Sequence, residues 1–192
     1  MGVNTCPGYI LAGGESRRFG SDKARAPWRG TSLIAWNAQM LREAGMAVTV
    51  VAGAAEAYAD LGLRTIADAF PGKGPLNGIY TALMECAPAE WVLVMACDLV
   101  GVEAPWLARL WEARDEAHDA VLFAAEREQP LLGLYSTRLA PALKAAIEAD
   151  HLAVLRFLGD QRVKRVSAPE GWAAVRNLNS TAAWREAQGG KD

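Results

Sequence analysis

Cysteine is scarce in this chain and histidine scarcer, with three of the first and two of the second among 192 residues. Cys6, Cys86 and Cys97 lie far apart, are odd in number and form no C-x-x-C pair. Neither a zinc ribbon nor a disulfide framework is therefore expected, and a reducing cytoplasm fits this usage best. No apolar run approaches the roughly 20 residues needed to cross a bilayer. The first residues hold Asn4 and Pro7 where an export signal would be basic and then apolar, so neither membrane insertion nor export is expected. An excess of basic charge is missing as well. The net charge is −2, which argues against a nucleic-acid partner, because binding by counterion release needs a strongly basic surface. The seven tryptophans are spread along the chain and form no array for single-stranded nucleic acid. No repeat or low-complexity linker divides the chain, and 52% hydrophobic residues suffice for one core, so a single domain over residues 1–192 is expected.

What is present is concentrated near the start. Tyr9–Lys23 reads YILAGGESRRFGSDK: a short apolar run that ends in Gly13 and Gly14, followed by Ser16, Arg17, Arg18 and Lys23. The run predicts a buried strand whose carboxyl end opens into a loop of bare backbone amides. Amides without a nearby Cβ approach phosphate oxygens closely, Arg offers a two-pronged donor, and Lys adds a point charge, so the mixture suits a polyphosphate. Between Glu15 and Arg29 five cations face two anions, a local charge of +3 in a chain that is acidic overall. Two commoner phosphate loops are excluded: no Gly follows Gly13 or Gly14 at Walker spacing, and the adjacent glycines break G-x-G-x-x-G. A solvated Gly-rich turn is the plain alternative.

Further on, strands and helices alternate. Thr31 or Ser32 can cap a helix that Gly45 stops; AVTVVA (47–52) reads as a strand buried on both faces; a short helix around Glu56–Asp60 and a strand near Leu63–Ala67 lead into Asp68. GKGPLNG (72–78) is expected to be an irregular ligand loop ahead of a helix from Ile79 to Cys86. WVLVMA (91–96) reads as a central strand that delivers Cys97 and Asp98 to its carboxyl end. A helix over Pro105–Arg114, strands at Ala120–Ala124, Leu131–Tyr135 and Arg162–Val166, and helices at Leu139–Ala149, His151–Leu158 and Thr181–Gln188 complete the chain. The alternation predicts an α/β fold with a mostly parallel sheet, in which ligands sit outside the carboxyl ends of the strands. Asp98 at such an end suits a hard divalent cation on a nucleotide; a turn or helix-capping Asp is the bland reading. His118 and His151 are expected at the surface, and Cys97 as a small core residue.

The run LAGG-x-S-x-R-F-G-x-DK after an N-terminal strand resembles the signature of the molybdenum cofactor guanylyltransferases, which attach GMP to molybdopterin. The resemblance implies a three-layer α/β/α, Rossmann-like nucleotidyltransferase fold. It implies nucleotide contacts from Leu11, Ala12, Gly13, Gly14, Lys23 and Asp68, and from the Gly74-Pro75-Leu76-Asn77-Gly78 segment, in which Asn77 stands where a small residue is usual. Cys97-Asp98 matches the family's C-D pair, whose Asp binds Mg²⁺, although Val100 stands where Pro is frequent. Asn177 and Asn179 resemble its N-x-N segment, implying contact with metal or with the second substrate; Ser180-Thr181 replaces the usual Thr-Pro. Arg18, Lys23 and Asp98 would carry the chemistry, with GTP and molybdopterin as substrates and molybdoenzymes or cofactor-pathway proteins as partners. A cytidylyl- or sugar-phosphate nucleotidyltransferase, and a non-catalytic adaptor that binds nucleotide or molybdopterin, stand as alternatives.

Overall fold

A computed structural model describes residues 6–13, 22–179, 183–184 and 187. Its centre is a seven-stranded sheet. In chain order come β1 (Pro7–Leu11), a small hairpin of β2 (Pro27–Trp28) and β3 (Thr31–Ser32), helix α1 (Leu33–Glu43), β4 (Ala47–Ala52), β5 (Thr65–Ala67), helix α2 (Gly74–Glu85), β6 (Trp91–Ala96), β7 (Leu99–Val100), helix α3 (Ala104–Ala113), β8 (Ala120–Ala124), β9 (Leu132–Ser136), helices α4 (Ala140–Glu148) and α5 (Val154–Gly159), β10 (Val163–Ser167) and β11 (Arg176–Asn177). The sheet order is β10-β8-β9-β6-β1-β4-β5. β1 pairs in parallel with both β4 and β6, and β4 with β5, while β9 runs against both β6 and β8. Because β10 is parallel to β8, six strands point the same way and present their carboxyl ends along one edge.

Period-2 alternation along the strands builds two cores. Ile10, Val50, Leu93, Met95 and Phe123 face Ile34, Leu41, Leu107 and Leu110 of α1 and α3. Tyr9, Leu11, Val51, Val92, Val94 and Tyr135 face Leu76, Ile79, Leu143 and Phe157 of α2, α4 and α5. Side chains that point to opposite sides of a strand thus need helices on both faces, which gives the three-layer α/β/α arrangement. α1 starts where Ser32 accepts the Ala35 N–H at 3.4 Å, and it ends where Gly45, at φ 82°, returns its N–H to the Arg42 carbonyl.

Two local expectations are corrected. Gly74–Gly78 is not an irregular loop but the opening of α2, with Pro75 in its first turn, where a missing N–H costs nothing and the fixed φ suits the helix. Around residues 56–60 only a 3-10 turn forms, Ala59–Leu61, after Glu56 has taken a left-handed φ of 63° that no helix continues. Of the helix expected over Thr181–Gln188, Ala183, Trp184 and Ala187 are helical and the rest lies outside the described residues.

β1 is where the chain changes direction across the sheet: β4 and β5 lie to one side of it, β6 and all later strands of the sheet to the other. Open α/β sheets form their ligand crevice at such a point.

Candidate active site

Asp98 follows the last residue pair of β6 and is fixed from both sides. The Cys97 N–H donates to the Leu11 carbonyl at 3.1 Å, tying the end of β6 to the end of β1. From α1, the buried Asn37 amide donates to the Cys97 carbonyl at 2.9 Å. The antiparallel pairing of β7 with β11 then carries the C-terminal segment onto the same spot, with the Leu178 N–H on the Asp98 carbonyl at 2.9 Å.

Four side chains meet there. Lys23 Nζ donates to Asp98 Oδ2 at 2.8 Å and to Asn179 Oδ1 at 3.1 Å, and Asn177 Nδ2 donates to Asp98 Oδ1 at 3.0 Å. The Lys23 and Asp98 side chains are only 11% and 19% exposed, so this pair is largely shielded from water but still reachable. Lys23 is aimed by its own short 3-10 turn, Lys23–Arg25, which Asp22 caps through the Ala24 N–H at 3.0 Å. Arg25 anchors that turn with a two-pronged contact to Asp60, at 2.7 and 2.8 Å, and a third bond to the Ala57 carbonyl. Asp98, Asn177 and Asn179 offer hard oxygen atoms of the kind a magnesium ion takes.

On the β4 side of β1 lies a cleft of about 560 Å³, lined by Leu11, Ala12, Gly13, Val51, Gly53, Asp68, Pro71, Gly72, Gly74, Pro75 and Gly78. Its walls approach closely because side chains are absent. A Cβ on Gly13 would stand 2.8 Å from Asp68 Oδ2, and one on Gly78 would stand 2.9 Å from a Leu11 methyl. The amino end of α2 lines this cleft through Gly74, Pro75 and Gly78, and no side chain of its N-cap residue Lys73 caps the first-turn N–H groups, which have no partner within the helix. Among the described residues Asp68 is its one charged wall, and burial pushes that carboxyl above its usual range. On the other flank, Asn177 and Asn179 also line a second cleft of about 490 Å³ with Arg127, Gln129, Trp172 and Arg176.

The residues expected from the sequence therefore fall into two neighbouring groups. Leu11, Ala12, Gly13, Asp68, Gly74, Pro75 and Gly78 share the first cleft; Lys23, Asp98, Asn177 and Asn179 form the cluster beside it. Leu76 is fully buried, its side chain in the core under α2 and not among the cleft walls. Gly14 and Arg18, with Ser16 and Arg17, lie outside the described residues, as do Ser180 and Thr181. Asn77 sits behind the cleft wall and does not line it. Gly72, in the expected ligand loop, lines the cleft too; Val51, Gly53 and Pro71 are walls that the sequence reading does not single out, although Gly53, at the carboxyl end of AVTVVA, carries the same signal as Gly13. Asn37 was missed too; its signal is a polar residue on the inward stripe of α1 between Ile34 and Leu41. Burial first and the adjacent Asp98 charge second push the Cys97 thiol up to about 12, which disfavours the thiolate that a nucleophile needs. His151 is exposed and His118 pairs with Asp115 at 2.7 Å ahead of β8, at the opposite edge of the sheet.

An open, mostly parallel sheet with a glycine-walled cleft and a Lys–Asp pair at its carboxyl edge defines a nucleotide-handling α/β protein. Residues 8–166 match the family model described as the MobA-like NTP transferase domain, and the chain belongs to that family of nucleotidyltransferases. Its relatives include a protein of Bacillus licheniformis, 35% identical over 88% of this chain and 90% of its own length, and one of Pelotomaculum thermopropionicum, 37% identical over 83% and 78%. Both carry the name "Probable molybdenum cofactor guanylyltransferase". Among solved structures, molybdopterin-guanine dinucleotide biosynthesis protein A from Archaeoglobus fulgidus superimposes with a TM-score of 0.81 at 23% identity, covering 95% of this chain and 97% of that one. A 4-diphosphocytidyl-2C-methyl-D-erythritol synthase from Anaerococcus prevotii reaches 0.72 at 10% identity over 96% of both. Likenesses at these identities concern the fold.

Proposed function

We propose that this chain, as one nucleotidyltransferase domain, transfers GMP from GTP to molybdopterin, releasing pyrophosphate and forming the guanine dinucleotide of the cofactor. The observation that carries this reading is the placement of the Lys23–Asp98–Asn177–Asn179 cluster between two clefts at one sheet edge. A donor nucleotide in the glycine-walled cleft and an acceptor in the cleft lined by Arg127, Trp172 and Arg176 would meet at that cluster. Relatives at 33–37% identity named for guanylyl transfer support GTP as donor. The fold alone does not choose the base, since a protein named for a cytidylyl product shares it.

In the proposed reaction an oxygen of the molybdopterin phosphate attacks the α-phosphorus of GTP. One P–O bond forms, the bond to the β-phosphate oxygen breaks, and pyrophosphate leaves with its electron pair. The attacking oxygen already carries charge, so the protein's task is to bring two polyanions together and offset their repulsion. Lys23 supplies a cation at the cluster, Arg18 is the second cation in the sequence for this task, and the backbone amides at Gly13 and at the start of α2 receive phosphate and sugar oxygens. Asp98, with the amide oxygens of Asn177 and Asn179, would hold Mg²⁺, which when bound supplies charge neutralisation at the phosphates. Asn177 Nδ2 on Asp98 fixes the carboxylate, leaving Lys23 as the contact that a bound cation or phosphate would exchange. The proposed reaction, between two small anions, would run in the cytoplasm. Among the described residues no helix is long and apolar enough to cross a membrane.

The test is pyrophosphate release from GTP with and without molybdopterin, set against CTP and UTP. Release from GTP that depends on the acceptor is expected. Preference for CTP would sink the guanylyl reading, and nucleotide binding without turnover would favour an adaptor.

A further inference from the structure

Asn77 is 1% exposed and lies on the first turns of α2, behind the cleft wall. Its Oδ1 accepts the Phe70 N–H at 2.9 Å, and its Nδ2 donates to Asp68 Oδ1 at 2.9 Å. Thr81, one turn on, donates to the Asn77 carbonyl and accepts the Ala69 N–H at 3.0 Å. The segment 68–70 is thereby stapled to α2, and one oxygen of Asp68 is occupied from behind. The other, Oδ2, is the oxygen that a Cβ on Gly13 would meet at 2.8 Å, and Asp68 and Gly13 both line the cleft.

The geometry points to Asn77 as a positioning residue for nucleotide binding, one that holds the Asp68 carboxylate so that Oδ2 is presented to a hydrogen-bond donor of the bound nucleotide. It deepens the nucleotide reading above and rests on it. A half-buried carboxylate in a cleft that Leu11, Val51 and Pro71 also line loses hydration, and the Asn77 N–H donor from behind offsets part of that loss for the ionised form. The ionised form is the one that can only accept, and so rejects a ligand atom without a proton to give. Among the described residues, the groups placed against Asp68 are Gly13 after β1, Ala52 at the end of β4, whose carbonyl accepts the Asp68 N–H, and Asn77 on α2, all uncharged, while burial raises its carboxyl.

Asn77→Asp separates positioning from stapling. It keeps the shape and the acceptor for the Phe70 N–H, and it replaces the donor facing Asp68 with a second carboxylate oxygen. At pH 8 two like charges would meet, and GTP affinity relative to wild type should fall about tenfold or more. Near pH 5.5 the pair can share one proton, which restores both the wild-type charge and an O–H···O bond, so the ratio should return to within about threefold. Calorimetric titration of GTP with Mg²⁺ into both full-length proteins at the two pH values reads this ratio, and titration of the nucleotide itself cancels. A second arm places Asn77→Ala in wild type and in an Asp68→Asn background. A loss of about tenfold in the first and less than about twofold in the second is expected if Asn77 acts through Asp68. A ratio equal at both pH values, or an Ala loss that persists without the Asp68 charge, overturns the inference. Failure of the wild-type protein to bind GTP at all would instead overturn the nucleotide reading beneath it.

Discussion

Lys23→Met removes the one ammonium in contact with Asp98 among the described residues, and its two effects can be worked separately. On stability, breaking one side of a fully buried ion pair costs about 3–5 kcal/mol, whereas an exposed pair is worth about 0–1 kcal/mol. With the two side chains 11% and 19% exposed, and Asn177 still donating to Asp98, a loss of about 2 kcal/mol is expected. On turnover, removal of a charged contact from a closed site costs about 3 kcal/mol, or about a hundredfold in rate. Adding Asp98→Asn deletes the stranded charge, so the double variant should recover stability to within about 1 kcal/mol of wild type. It should recover no activity, because both the cation and the carboxylate would be gone. Urea denaturation followed by tryptophan fluorescence gives the first quantity, and acceptor-dependent pyrophosphate release gives the second. A stable double variant with turnover within about threefold of wild type would show that the pair holds the fold and has no part in the chemistry.

Three other outcomes follow from the same geometry. Gly13→Ala would put a methyl 2.8 Å from Asp68 Oδ2, and should weaken GTP binding about tenfold in a titration, since the carboxylate must turn away from the cleft. Asp68→Asn should stabilise the ligand-free protein at pH 7 while weakening GTP binding. A carboxyl whose folded pKa is raised contributes stability below its unfolded value, and that contribution is lost as pH rises through the folded value, so the gain should vanish in melts run below about pH 4. Thiol titration at pH 8 should find Cys6 and Cys97 unreactive in the native state, because burial pushes both up to about 12, and all three cysteines reactive in guanidinium. Rapid modification of Cys97 in the native protein would contradict its placement.

Much of this arrangement can be read from local pattern, and what cannot has identifiable causes. AVTVVA, WVLVMA and AVLFA form β4, β6 and β8 over the residues that their apolar continuity marks. Leu132–Ser136 is as fully buried, yet it runs antiparallel, and a strand buried on both faces carries no sign of its direction. GPLNG reads as a loop because Gly and Pro usually interrupt helices, whereas Pro75 in a first turn begins one. At the site, Gly13, Asp68 and Asp98 stand out as residue types just beyond strand ends, and Lys23 as a cation in the loop that follows β1. That Asn77 turns away from the cleft toward Asp68, and that Asn37 reaches the Cys97 carbonyl, depends on contacts made only after helices dock on the sheet.

The β7–β11 pairing gives the site a history as well as a shape. Every residue lining the glycine-walled cleft lies before position 79, whereas Asn177 and Asn179, which complete the cluster on Asp98, are synthesised much later. A chain cut short ahead of β11 would therefore keep the whole lining of the cleft in its sequence yet lose two of the four side chains that meet at Asp98.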